Sequence, residues 1–211
     1  MQSPHSQTEK SAANHGFKEW LGVCSLLLAG NTSLLLRKGG IHEGRDGFAF
    51  KHRQFFLFPT SFHEETHGLV STPPPPPGPP ATPENGVTIH AFARALTALR
   101  VRNWSTVAQL APFHPWAENV VRDRFNYSEK LEAECISIAL VRVYRLTTPW
   151  HLPYEKKFGG CRSWVDLPQP PAAWHKSLTP VLDDNSHDQR AEKILSILTQ
   201  ATPPATPPPA K

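Results

Sequence analysis

The sequence predicts an α+β fold: a compact, mostly β domain with a curved or barrel-like sheet and short helices. Three observations favour this class. The clearest strand is CISIALVRVYRL at 135–146, in which two sets of residues alternate along the chain. QFFLFP at 54–59 is a second strand, apolar enough to be buried and ended by a proline. Short helical segments separate the strands without the regular β–α–β alternation of a parallel sheet.

The N-terminal elements are harder to assign. FKEWLGVCSLLLAG at 17–30 fits both a helical stripe and strand alternation. We expect a strand at 18–24 with a bend before AGNTS, which is a turn by composition. LLLRKGG at 34–40 then reads as a short strand stopped by two glycines.

Beyond a proline-rich tract, VTIHAFARALTALRV at 87–101 is ambiguous between strand and helix. NWSTVAQLAP predicts a short helix that Asn103 or Ser105 caps and Pro112 ends. PWAENVVRDRFNY predicts an amphipathic helix, FGGCRSWVDLP a last short strand after a glycine turn, and DDNSHDQRAEKILSILTQ a C-terminal helix.

Proline divides the chain of 211 residues, which holds 23 prolines. The tract at 72–83 and the last eleven residues lack the N–H donors of regular structure, so both read as solvated, polyproline-like segments. We predict the following organisation: a disordered N-terminal segment at 1–16, a single globular domain at 17–170 interrupted by a Pro-rich insertion at 71–85, and a C-terminal helix with a Pro-rich disordered tail at 171–211.

Charge and cysteine content narrow the function classes only slightly. The chain carries 22 Lys and Arg against 18 Asp and Glu, a net charge of +4. This mild excess permits nucleic-acid binding without specifying it. Three widely spaced cysteines do not suggest a disulfide scaffold, and no signal peptide or membrane span is visible, so we expect a cytoplasmic protein with no membrane partner.

His63-Glu-Glu-Thr-His67 matches the His-Glu-x-x-His pattern of zinc peptidases. The helix available to it has about two turns before Gly68, and the proline tract soon follows. Ser61 and Glu64 also form a capping box, which accounts for the same residues structurally. The capping interpretation is therefore favoured over zinc proteolysis.

A wider group of polar residues surrounds the strand QFFLFP. If RKGGIHEG and KHRQFFLFPTSFHE pair, their basic and acidic side chains gather at one end of a sheet. Gly39 and Gly40 would let the backbone approach a ligand, and Lys38 suits an anion such as phosphate. The alternative is a solvated loop tip with interspersed charges.

The C-terminal half contributes further candidates. Cys161 lies between a double glycine and Arg162, where it could be a reactive thiol or a small buried side chain. Arg142 stands within the alternating strand, as a buried ion-pair partner or part of a basic groove. Trp164 could stack on a base, although large aromatic residues more often belong to the core.

These stretches resemble a bacterial family known as a domain of unknown function, number 1802. The resemblance is carried by KEW at 18–20, LLLRKGGIHE at 34–43, FFLFPTSFHE at 55–64, HPW with RF at 114–125, LVRVYRL at 140–146 and GGCRSWVDL at 159–167. It implies no established activity. It does imply a signature of Lys38, Gly39, Gly40, Glu43, His52, Pro59, Thr60, His63, Gly160, Cys161, Ser163 and Trp164. Glu64 departs from the family pattern, which typically has glutamine there.

Two main hypotheses follow. They differ on whether the protein is an enzyme, and the sequence does not decide between them. The first is a nucleic-acid or nucleotide-binding module, with phosphate on Lys38, Arg53, Arg142 and Arg162 and a tryptophan stacked on a base. The second is a metal-dependent hydrolase or nuclease in which a divalent ion is held by His52, His63 and either Glu43 or Glu64. A third possibility is a protein-interaction scaffold that acts through its Pro-rich tracts. The sequence identifies no cofactor.

Overall fold

The computed structural model describes residues 14–38, 50–60, 68–127 and 134–200. Seven strands form one mixed sheet in the order β2–β5–β4–β3–β1–β6, with β7 paired to β5. The strands are β1 (His15–Trp20), β2 (Leu34–Arg37), β3 (Gln54–Thr60), β4 (Val87–Val101), β5 (Ile136–Leu152), β6 (Trp164–Asp166) and β7 (Leu178–Pro180). The four α-helices of the described residues are α1 (Leu21–Leu28), α2 (Trp104–Gln109), α3 (Glu118–Asn126) and α4 (Asp184–Gln200).

The predicted α+β class is confirmed, and the sheet is strongly curved. Three strands separate β2 from β1 in the sheet order. Nevertheless, the Arg37 side chain at the end of β2 donates a hydrogen bond of 2.6 Å to the Lys18 carbonyl of β1. Strand pairing within the described residues does not close the sheet, whose two edges are β2 and β6. Arg37 therefore links β2 to β1 by a side-chain hydrogen bond rather than by strand pairing.

Strand β3 is buried on both faces. Phe55 and Leu57 belong to the main core, whereas Phe56 and Phe58 belong to a second core on the opposite face. Successive side chains of a strand point to opposite faces, so a strand covered on both sides needs apolar residues throughout. This explains the unbroken apolar run QFFLFP and confirms the predicted buried strand.

The strand expected at 18–24 is wrong beyond Trp20. Strand β1 ends at Trp20 and α1 begins at Leu21, with seven of its eight residues buried. A helix that is covered on nearly all sides has no polar face, so its sequence lacks the period that marks an amphipathic helix. The ambiguous segment 87–101 is the strand β4, which pairs with β5 along almost its whole length.

Both predicted short helices are present. In α2, the Asn103 side chain accepts a hydrogen bond of 2.8 Å from the Ser105 amide, which is the predicted cap. In α3, Val121 and Phe125 are buried as the amphipathic pattern indicates. No helix among the described residues is long and apolar enough to cross a membrane.

The proline-rich tract is attached to the fold at both ends. The Val70 amide donates to the Pro115 carbonyl at 2.8 Å, and the Ala81 amide donates to the Pro59 carbonyl at 3.1 Å. Pro73 also lies against Gly22, where an added Cβ would meet its Cγ at 3.0 Å. The tract thus follows the protein surface between these two attachment points. The predicted domain boundaries themselves stay a prediction.

Gly86 and Gly160 provide a matched test of backbone strain. Both have positive φ, at 70° and 75°. A Cβ on Gly86 would lie 2.8 Å from the Leu152 carbonyl oxygen, whereas one on Gly160 would have no atom within 4 Å. We expect G160A to lower the free energy of unfolding by about 1–2 kcal/mol through φ alone. We expect G86A to lose about 1–3 kcal/mol more, because the backbone must move to relieve the clash. Urea unfolding measures the free energy of unfolding of both variants. Equal losses would show that a Cβ at position 86 does not clash with the Leu152 carbonyl.

Candidate functional site

One face of β1 organises the polar residues of the domain. His15, Phe17 and Glu19 alternate along the strand, so their side chains lie on the same face. The middle residue, Phe17, is fully buried in the main core. The strand therefore places a polar residue on either side of Phe17: His15 at the N-terminal end and Glu19 at the C-terminal end. Each of the two contacts a different set of residues.

At the C-terminal end, Glu19 and Arg37 form a buried ion pair. The Arg37 Nη1 atom lies 2.9 Å from the Glu19 Oε2 atom, and the Glu19 side chain is only 1% exposed. The other carboxylate oxygen of Glu19 accepts a hydrogen bond of 2.8 Å from the Trp20 amide. The Arg37 guanidinium also lies 4.7 Å from the centre of the Phe17 ring. Arg37 is therefore fixed by a charge, a backbone carbonyl and an aromatic face.

A second arginine, Arg124 of α3, joins this pair. Its guanidinium carbon lies 3.7 Å from the centre of the Trp116 ring, and Trp116 in turn meets Trp20 edge to face at 4.9 Å. Burial lowers the pKa of Arg124 to about 10, and the positive charge of Arg37 adds to this, while Glu19 opposes it. The Nη1 atom of Arg124 is buried and has no hydrogen-bond partner among the described residues. One carboxylate thus faces two guanidinium groups.

His114 lies beside Arg124 and is 6% exposed. Its Nδ1 atom accepts a hydrogen bond of 3.2 Å from the Trp116 amide. Burial lowers the pKa of His114 to about 4, and the charge of Arg124 lowers it further, against the raising effect of its hydrogen bonds. At neutral pH this histidine is therefore an uncharged acceptor. We refer to Glu19, Arg37, Arg124 and His114 as the arginine cluster.

At the N-terminal end of the same face, three rings pack together. The His15 and His52 rings are stacked with their centres 3.5 Å apart and an interplanar angle of 20°. Trp164 meets the His52 ring edge to face at 4.9 Å and also contacts Phe17. The His15 Nδ1 atom lies 3.3 Å from the Asp166 Oδ1 atom. We refer to His15, His52 and Trp164 as the ring stack.

The candidates of the sequence analysis are spread over several places. Lys38 is exposed and its Nζ atom lies 3.8 Å from the centre of the Tyr127 ring, next to Arg37 in the chain. Arg53 is exposed. Arg142 forms an ion pair with Asp184 and lies opposite Arg94 across β5 and β4.

The glycine turn before β6 lies against Lys18. The Lys18 Nζ atom donates to the carbonyls of Gly159 and Gly160 at 3.3 and 2.9 Å. Burial lowers the pKa of Lys18, whereas Cys161 raises it. Cys161 and Arg162 are exposed. Gly39, Gly40, Glu43, His63 and Glu64 lie outside the described residues.

The sequence analysis missed three members of the arginine cluster, namely Glu19, Arg124 and His114. Each occurs within a segment that carries the family resemblance: KEW, HPW and RF. The family resemblance was thus a signal for these residues. Their spacing in the sequence, however, does not indicate that residues 19 and 124 lie near each other. In the part of the chain that the structure describes, no three His, Cys, Asp or Glu residues are grouped so that they could hold a metal ion.

Comparison with known proteins identifies the family. The family model described as "Domain of unknown function (DUF1802)" matches residues 16–193. The chain belongs to the DUF1802 family. The match begins at residue 16, so it includes Phe17 and Glu19 of the β1 face but not His15, and it reaches into α4. No curated protein matches the chain.

Solved structures of the ASCH protein of Zymomonas mobilis are similar to this DUF1802 domain. One shares 14% identity, covers 86% of this chain and 93% of its own, and has a TM-score of 0.38. A mutant form shares 13% identity, covers 89% of this chain and 97% of its own, and has a TM-score of 0.42. At these scores the similarity carries no argument about function.

Proposed function

We propose that this domain binds nucleic acid or a nucleotide, and that a phosphate group is held by Arg37, Lys38 and Arg124. The observation that supports this most directly is the Nη1 atom of Arg124, which has no hydrogen-bond partner among the described residues and lies near a second guanidinium. Buried N–H groups are normally paired, and an unpaired one in a charged group is costly. A phosphate oxygen would supply both the missing acceptor and the missing negative charge.

The surroundings suit such a ligand. Glu19 balances only one of the two guanidinium charges in the arginine cluster, and exposed Lys38 adds a third cation next to Arg37. Trp116 holds the guanidinium plane of Arg124 from one side, so its orientation is set before a ligand arrives. A preorganised charged donor loses less conformational entropy on binding than a free side chain does.

The other two hypotheses stay predictions. The metal-dependent hydrolase depends on His52, His63 and either Glu43 or Glu64, and of these only His52 lies within the described residues. The scaffold depends on proline side chains that other proteins could bind; Pro75, Pro76 and Pro79 are exposed.

Substitution of Arg124 tests the proposal. We expect R124M to weaken binding of a fluorescently labelled single-stranded RNA or DNA by roughly tenfold to a hundredfold, because a charge-assisted hydrogen bond is lost. Fluorescence anisotropy at two salt concentrations measures the affinity, and the salt dependence should also become shallower.

Arg122 provides the matched control, since it lies on the same helix but is exposed and paired with Glu118 at 2.9 Å. R122M should change the affinity by less than about threefold. Competition with ATP and with inorganic phosphate separates nucleotide binding from binding of a longer strand. Equal effects of R124M and R122M, with thermal midpoints unchanged, would refute the phosphate site.

A further inference from the structure

The ring stack is the second group of polar residues on the β1 face, and unlike Glu19 and His114 it is partly open to solvent. His15 keeps 27% of its side-chain area exposed although His52 covers one face of its ring. The residues on either side of His52, Lys51 and Arg53, are both exposed cations. Flat rings accompanied by cations are the combination that proteins use to bind single-stranded nucleic acid.

We infer that the ring stack of His15, His52 and Trp164 binds one unpaired nucleobase of a single-stranded nucleic acid by stacking. This inference rests on the proposed function and specifies its ligand: a strand with accessible bases, rather than a duplex or a free phosphate. Lys51 and Arg53 would contact the phosphates on either side of the stacked base.

Two other tryptophans of the domain are not available for this role. Trp116 is 3% exposed and Trp150 is 6% exposed. The Trp164 ring is held edge to face by Phe17 and Phe55, so it supports His52. The other two rings of the stack are His15, which is 27% exposed, and the half-buried His52.

The distance between the two ends of β1 fits one ligand. His15 and Glu19 are four residues apart on a strand, which corresponds to about 13 Å. A short oligonucleotide can span this length, with a phosphate at the arginine cluster and a base at the ring stack. Arg37 lies over Phe17 between the two ends, and its side chain is 17% exposed.

The two imidazoles can stack closely because they are not both charged. Burial lowers the pKa of His52, and the neighbouring His15 lowers it further, although Asp166 opposes this. At neutral pH His52 is therefore a neutral ring. Asp166 is the one carboxylate beside the stack in the described chain, and it lies at the Nδ1 edge of His15, away from the ring faces.

The inference is tested with two probes of equal length and charge: a fluorescein-labelled deoxyoligonucleotide and the same strand with abasic sites. We expect H52A to weaken binding of the normal strand by roughly 5- to 100-fold, which is the measured range for loss of one base–aromatic stack. The affinity for the abasic strand should stay within about twofold. H52F should retain most of the affinity, because it keeps a flat ring without the imidazole nitrogens.

H175A is the control, since His175 is exposed and lies outside the ring stack. Thermal midpoints of all variants establish that each is folded. The inference would be overturned if H52A lost affinity for both strands or kept its affinity for both. It would also be overturned if the unmodified protein bound the two strands equally well. If R124M weakens binding and H52A does not, only the base site fails. If the unmodified protein binds neither strand, the base site and the proposed binding of nucleic acid both fail.

Discussion

Replacing Glu19 with glutamine is expected to lower the free energy of unfolding by about 3–5 kcal/mol, the usual loss when one partner is removed from a buried ion pair. Glutamine preserves the size of the side chain and an acceptor for the Trp20 amide, so the main change is electrostatic. Without the carboxylate, Arg37 and Arg124 would repel each other with no buried counter-charge among the described residues. Each guanidinium would lose its attraction to the Glu19 carboxylate, while the repulsion between the two guanidinium groups would remain.

Urea unfolding at pH 7 measures this loss. E118Q is the matched control, because Glu118 pairs with Arg122 at 2.9 Å but is 71% exposed. We expect the control to change stability by less than about 0.5 kcal/mol. The double variant E19Q/R37M should be more stable than the sum of its single effects implies, since it removes both charges. A loss from E19Q no larger than that from E118Q would show that the pair is not buried as described.

A second large effect concerns pH and His114. The pKa of this histidine falls from 6.5 to about 4 in the folded protein. As pH drops below 6.5, His114 becomes protonated in the unfolded chain but stays neutral in the folded protein. Acid therefore favours unfolding. The stability associated with His114 is thus complete above pH 6.5 and is lost progressively towards pH 4. The full loss is about 3 kcal/mol, from 1.36 kcal/mol per pKa unit.

Comparison with H114N isolates this contribution. The asparagine side-chain oxygen can still accept the Trp116 amide hydrogen, but it does not titrate. Between pH 7.5 and 4.5 the unmodified protein should lose more stability than H114N does. Other histidines with lowered pKa, such as His52 and His90, contribute to both proteins and cancel in the comparison. Parallel stability curves for the two proteins would contradict the role of His114.

The strands and helices with strong local signals were predictable. QFFLFP is a buried strand because an apolar run of this length needs cover on both faces, and Asn103 caps α2 because its side chain reaches an unpaired amide. The end of β1 was not predictable. A strand and a fully buried helix both show continuous apolar sequence, so FKEWLGVCSLLL does not indicate where one becomes the other.

Half of the candidate site could be inferred from the sequence. Lys38, His52 and Trp164 were identified from their neighbours in the chain, because residue types that bind anions or stack on bases occur there close together. The partners that complete the site come from distant segments. Arg124 of α3 interacts electrostatically with Glu19 of β1 although the two elements lie far apart in the sequence, and no local pattern encodes that interaction.

The sequence by itself determined the α+β class, most of the strands and helices, and the family of this chain. Periodicity, capping residues and proline placement act over a few residues, so short segments of sequence are enough to predict the strands and helices. The tertiary structure alone decided that His15, Phe17 and Glu19 form one continuous face with a ring stack at one end and two arginines at the other. Burial is the physical reason: an exposed glutamate and two exposed arginines would be ordinary surface charges, whereas the buried cluster leaves one positive charge unbalanced among its members, which is the basis of the proposed phosphate site.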